Sequence, residues 1–180
     1  KISSILSTNN KRAPFDSLNM RKALAHAINR EEIIDGAMFG FGTPIGTHFA
    51  PHNPNYVDLT SYSEYRPELS KQLIEESGYD RTTVITLKLP PPSYARRGGE
   101  IIASQLRSVG FNVEISNLEW AQWLEQVFKG KDYNLTIVSH TEPADINIYS
   151  RPDYYFQYDS KAFQALMKDL NDTSNPIARS

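Results

Sequence analysis

The stretch at residues 8–34, TNNKRAPFDSLNMRKALAHAINREEII, decides how the rest of the chain is read. Asn9, Asn10 and Pro14 keep the backbone out of regular structure. Asp16 is a suitable N-cap, because its carboxylate accepts from the unpaired N–H groups of a first helical turn. Leu24, Ala27 and Ile28 then recur at helical spacing and form one apolar stripe. Asn29 and Glu32, three apart like the ends of a capping box, restart the helix with Ile33, Ile34 and Ala37 turned inward. Physics alone reads two short helices following a strand at residues 2–6.

Working outward, residues 39–65 form a long loop rich in Gly, Pro, Asn and Tyr, of a length that usually packs against or binds something. Pro67 opens a helix that Gly78 closes. Residues 84–89 alternate as a strand, with Ile85, Leu87 and Leu89 on its apolar side, and Pro90, Pro91 and Pro92 end it. A helix is expected over 98–109, a strand through Phe111, Val113 and Ile115, and a helix with Trp120, Trp123, Leu124, Val127 and Phe128 on one face. A strand at 135–138 and an amphipathic helix at 160–170 with Phe163, Leu166, Met167 and Leu170 on one face complete the pattern. Alternating strands and helices imply an α/β fold: an open, mostly parallel sheet with right-handed crossovers and helices on both faces.

The 180 residues suffice for one domain with its own core. Hydrophobic residues make up 39% and charged residues 22%, with a net charge of −2, which gives no electrostatic case for a nucleic-acid partner. No apolar run approaches the roughly 20 residues of a spanning helix, and the opening KISSILST lacks the apolar stretch of a signal peptide. There are no cysteines, which removes disulfides and thiolate chemistry. Lacking the signal-peptide stretch, the chain is mature with its signal peptide removed, cut from something larger, or cytosolic. A break at 171–176 followed by the start of another helix at Pro176, with the sequence stopping at Ser180, makes it read as a fragment.

In an open parallel sheet, ligands gather at the carboxyl ends of the strands. Those ends lead into 90–97, 117–120 and 139–149. None carries a Gly-rich phosphate cradle. Tyr94, Arg96 and Arg97 lie in the first of these loops. The arginines are either solvated side chains or partners for a ligand carboxylate. Trp120 and Trp123 fall on an apolar stripe and read as core, with Trp120, beside a strand end, the better ligand contact. The segment SHTEPADINIYSRPDYYFQY (139–158) is rich in polar and aromatic groups. Within it Ser139, His140, Glu142, Asp145 and Tyr149 are candidates: an acid to pair with a ligand amine, and aromatics to wall a cleft with polar handles. The same residues also read as a capped turn with rings packed over a sheet edge. His48 and His52 stand four apart, but Pro44 and Pro51 argue against the helix that would align them on zinc. No metal, no cofactor and no catalytic set emerges; no Gly-x-Ser-x-Gly elbow is present.

Asn10, Pro14, Phe15, Asp16, Arg21, Ala23, Ala27, Ile28 and Arg30 closely resemble a segment of the family 5 solute-binding proteins, the periplasmic peptide, nickel and opine receptors of ABC importers. Residues 40–56, 66–80 and 111–138 resemble successive blocks of the same family, in order. The resemblance implies one lobe, the C-terminal one, of a two-lobe protein with a periplasmic binding protein type II-like fold. It implies that residues 1–180 form a single α/β lobe, with the second lobe missing. A bacterial periplasmic location, a small-molecule or peptide ligand caught between the lobes, and a membrane permease as partner follow from it. In peptide-binding relatives an Asp after the last of these strands takes the peptide amine. Aligned on Pro143, that position here is Ser139, which leaves Glu142 or Asp145 as substitutes. The ligand stays open among peptide, opine, haem, nickel chelate and oligosaccharide. Two other classes stay open as well: an α/β enzyme such as a hydrolase or transferase, and a protein-interaction module.

Overall fold

A computed structural model describes residues 2–141 and 146–173. Strand β1 (Ser3–Thr8) leads into helices α1 (Leu18–Ala27) and α2 (Arg30–Met38). After a long loop come α3 (Pro67–Glu76), β2 (Val84–Leu89), α4 (Ser93–Val109) and β3 (Asn112–Asn117). The short α5 (Trp120–Trp123) runs into a π-helical turn, Leu124–Lys129. Strand β4 (Leu135–His140), a 3-10 turn (Ile146–Ser150) and α6 (Lys161–Asp172) follow. No helix among the described residues is long and apolar enough to cross a membrane.

The four strands lie in the order β1-β4-β2-β3. β2 is parallel to both β3 and β4, as the alternating pattern implies, whereas β1 joins β4 antiparallel, from Ser3 opposite His140 to Thr8 opposite Leu135. The β-strand period of two sends neighbouring residues to opposite faces, and the sheet uses both. Leu6, Ile85, Leu87, Leu89, Val113, Leu135 and Ile137 face a core shared with α1–α4. Ile5 and Val138 face a second, aromatic core built from Trp123, Val127, Tyr133, Ile148, Tyr155 and Phe156.

Four local expectations are corrected. Ser17, not Asp16, caps α1, its hydroxyl accepting from the Met20 N–H at 3.5 Å; full burial of Phe15 turns the chain so that the helix begins one residue later. Helix α4 begins at Ser93, so Tyr94, Arg96 and Arg97 are helical. Gly98 and Gly99 sit inside it, and at Gly99 α4 lies so close on β2 that a Cβ would stand 2.3 Å from Leu89 Cδ1. The expected single face from Trp120 to Phe128 splits where the helix widens at Leu124. Trp123 and Val127 are buried, while Trp120, Leu124 and Phe128 are 42%, 46% and 39% exposed. In α6 Met167 is buried, but Leu166 points outward.

The loop at 39–65 folds back on itself. Its far end is tied to the helix pair: Arg30 donates to the Ser63 carbonyl at 2.7 Å, and the Arg66 N–H donates to the His26 carbonyl at 2.9 Å.

Candidate functional site

Because β2, β3 and β4 are parallel, their carboxyl ends share one edge of the sheet, with Leu89 level with Asn117. Antiparallel β1 starts at this edge, and the hydroxyls of Ser4 and Ser139 lie 2.7 Å apart there. Tyr94, on the first turn of α4, accepts from the Ser139 N–H at 3.0 Å and so fastens α4 to the end of β4. Arg96 donates to the Leu118 carbonyl at 3.2 Å and stands 3.5 Å from the Glu119 carboxylate. It therefore clips α4 to the β3–α5 junction. Its Nε is buried without a hydrogen-bond partner. Arg97 is exposed on the neighbouring side, its guanidinium 4.8 Å from the centre of the Phe39 ring, a cation–π contact.

Between the π-helical turn and the end of β4 lies a cleft of about 320 Å³. Trp123, Leu124, Phe128, Tyr154 and Tyr155 form its apolar wall, and Ser139, His140 and Thr141 supply polar atoms. The polar atoms are held in a chain: His140 Nε2 lies 2.9 Å from the Tyr155 hydroxyl, which lies 3.0 Å from the Ser7 hydroxyl. The His140 and Tyr155 rings are stacked with centres 6.0 Å apart. Burial pushes the Tyr155 phenol far above the ordinary tyrosine value, so it stays neutral. Trp123 is fixed behind the cleft by its indole N–H, which donates to Thr136 at 2.9 Å. Tyr149 lies beside the cleft, its hydroxyl 3.2 Å from His48 Nδ1 and its ring stacked on Phe156. Burial raises its phenol too.

The structure thus brings Ser139 and His140 into the cleft, places Tyr94 and Tyr149 around it, and sets Trp120 edge-on to Trp123 with ring centres 5.7 Å apart. Arg96 and Arg97 do not line it. Glu142 and Asp145 lie outside the described residues. Tyr154 and Tyr155, among the aromatics of 139–158 expected to wall a cleft, do line it, whereas Leu124 and Phe128 were read only as part of an apolar helical face. Trp120, Leu124 and Phe128 recur at i, i+4 and i+8, a second apolar stripe beside Trp123 and Val127, and that excess width was the available signal.

A larger hollow, about 490 Å³, lies at the other end of α4 and is lined by Glu68, Lys71, Glu75, Arg81 and Arg107 among others. Its charges serve the fold: Lys71 pairs with Glu68, and Arg107 donates twice to the Val113 carbonyl. Among the described residues no group of three or more His, Cys, Asp or Glu is placed to hold a metal ion.

Residues 1–163 match the family described as bacterial extracellular solute-binding proteins, family 5 Middle. The chain belongs to this family. The family 5 chain is 30% identical over 131 residues to the dipeptide-binding protein of Escherichia coli, covering 70% of this chain and 24% of that protein. Heme-binding protein A of Haemophilus influenzae is 29% identical over 131 residues, covering 68% and 23%. The family 5 chain therefore spans about a quarter of the length of the curated relatives it matches. A dipeptide-binding protein from Pseudoalteromonas sp. SM9913, solved in complex with Met-Leu, superposes with a TM-score of 0.87 at 24% identity, over 99% of this chain and 38% of that one. The fold is that of one lobe of a periplasmic binding protein.

Proposed function

We propose that this family 5 chain is one lobe, the C-terminal one, of the substrate-binding component of an ABC importer. In this reading the whole receptor captures a peptide-like or other small solute between two lobes and passes it to a membrane permease, in the periplasm of a bacterial cell. The chain binds; it does not catalyse. The observation that carries this reading is the cleft between the carboxyl end of β4 and the π-helical turn, walled by aromatic rings with neutral polar handles, on a chain of a solute-binding family. A ligand that touches both lobes favours the closed state and shifts the hinge equilibrium.

The geometry supports different roles for the two arginines. Arg96 is a positioning residue spent on Leu118 and Glu119, whereas Arg97 has an exposed fork suited to a ligand carboxylate. Trp120 and Tyr149 flank the ligand, Tyr94 fixes Ser139 and His140, and Glu142 or Asp145 takes a ligand amine. Native mass spectrometry of the whole receptor, purified without refolding, tests the reading. A mass excess that disappears on denaturation is expected, and a bare receptor that also ignores added di- and tripeptides would count against it. Arg97→Ala should weaken binding of a free carboxylate ligand by about 10–100-fold, the loss of one charge-assisted contact, with the thermal midpoint unchanged. Arg96→Ala should lower the thermal midpoint.

A further inference from the structure

We infer, on the receptor reading above, that the aromatic cleft is a subsite for one uncharged side chain of the ligand, aromatic or branched aliphatic, and that it excludes charged ones. The volume of about 320 Å³ is at the small end of ligand pockets, roughly 300–1,000 Å³. It suits part of a ligand. Among the described residues lining it there is no Asp, Glu, Lys or Arg. The two nearby cations lie outside its lining: Arg96 is held at Leu118 and Glu119, and Arg97 stands on the neighbouring side of α4, beside Phe39. A charged group entering the cleft would lose its water and meet no counter-ion among the described lining residues, a cost that apolar groups escape.

Most of the polar atoms inside are already engaged: the His140–Tyr155–Ser7 chain and the Tyr94–Ser139 bond hold them in place. What chiefly remains to receive the ligand is ring surface. Trp123 stands edge-on to Tyr155 at 6.0 Å and 65°, and Phe128 edge-on to Tyr154 at 5.8 Å and 87°. An incoming ring can extend this tilted packing. At the mouth, Leu124 and Phe128 leave nearly half of their surface in water, apolar area that an apolar occupant would cover. The π-helical turn is what swings these two side chains toward the end of β4, and such turns recur at functional sites.

The test uses the whole receptor and a mixed library of di- to pentapeptides, with retained species identified by mass spectrometry. Wild-type receptor should retain peptides bearing Phe, Tyr, Leu or Ile at one position by about tenfold or more over those bearing Lys, Glu or Asp there. Leu124→Glu and Phe128→Glu, both at the exposed mouth, should each erase that preference and raise retention of Lys at the same position. Their thermal midpoints report folding, and either variant alone is sufficient. Retention without regard to charge, or an unchanged preference in a folded variant, would overturn the subsite while leaving the receptor reading intact. Retention of no peptide at all would overturn the subsite, and the receptor reading, which also admits non-peptide solutes, would stand or fall on the native mass spectrometry above.

Discussion

A Cβ at Gly46 would stand 2.3 Å from both the Leu59 carbonyl carbon and the Thr60 nitrogen, backbone atoms that have nowhere to go. Gly46→Ala should therefore open the loop at 39–65 and lower stability by about 1–3 kcal/mol, the usual cost of overpacking, readable in urea unfolding. Asp132 makes a different case. Its carboxylate accepts from Arg12 at 2.7 Å and stands 3.4 Å from the Lys88 ammonium, and these partners hold its pKa below the usual carboxylate value, the Arg12 hydrogen bond contributing most. A carboxyl whose folded pKa is depressed stabilises the fold above its unfolded pKa, and that contribution is lost as the pH falls through the folded pKa. The pair is exposed, so Asp132→Asn should cost only about 0.5 kcal/mol at neutral pH. The gap between variant and wild type should close in acid; a gap that persists there would show that the charge is not responsible. At this scale the sequence was an uneven guide. Asn29 is legible as a cap and does accept from the Glu32 N–H at 3.2 Å. The service of Arg96 to the Leu118 carbonyl is not legible, because it joins residues 22 apart that only the folded sheet brings together.

At the scale of elements, periodicity was enough for every strand and for most helices, since each buries one face against the sheet. It failed where packing overrode local preference. Three prolines and two glycines hide the first turn of α4, yet one of those glycines, Gly99, is what lets the helix lie against Leu89. The switch from α5 to a π-helical turn has no local signature either, and with it went half the cleft wall. A buried junction just before that turn ties it to the sheet, beside the Lys88–Gln126 bond at 3.1 Å: Thr136 accepts from the Trp123 indole at 2.9 Å and donates to the Lys88 carbonyl at 2.7 Å. Thr136→Val keeps the shape and strands the indole N–H, so it should cost about 1–3 kcal/mol. It should also shift the indole emission of Trp123. A neutral result in denaturant titration would mean that water replaces the hydroxyl.

For the whole molecule, family and architecture were readable early because the marker residues from Asn10 to Arg30 lie in the turn before α1 and on the helix pair that covers one face of the sheet. The direction of β1 was not readable, since strand patterning carries no sign of parallel or antiparallel pairing. If the receptor closes two lobes on its ligand, the isolated 180-residue chain should bind far more weakly than the whole receptor; equal affinities in calorimetry would sink the two-lobe reading. The pairing of β1 with β4 has one more outcome. Thr8 meets Leu135 across roughly two thirds of the chain, whereas β2 meets β3 through a single helix. During synthesis β1 has no partner in this sheet until the ribosome has released residues 135–140. The sheet is therefore completed by a contact between distant parts of the sequence, the kind that makes folding slow, and Ser3–Thr8 are among the last of its residues to find their place.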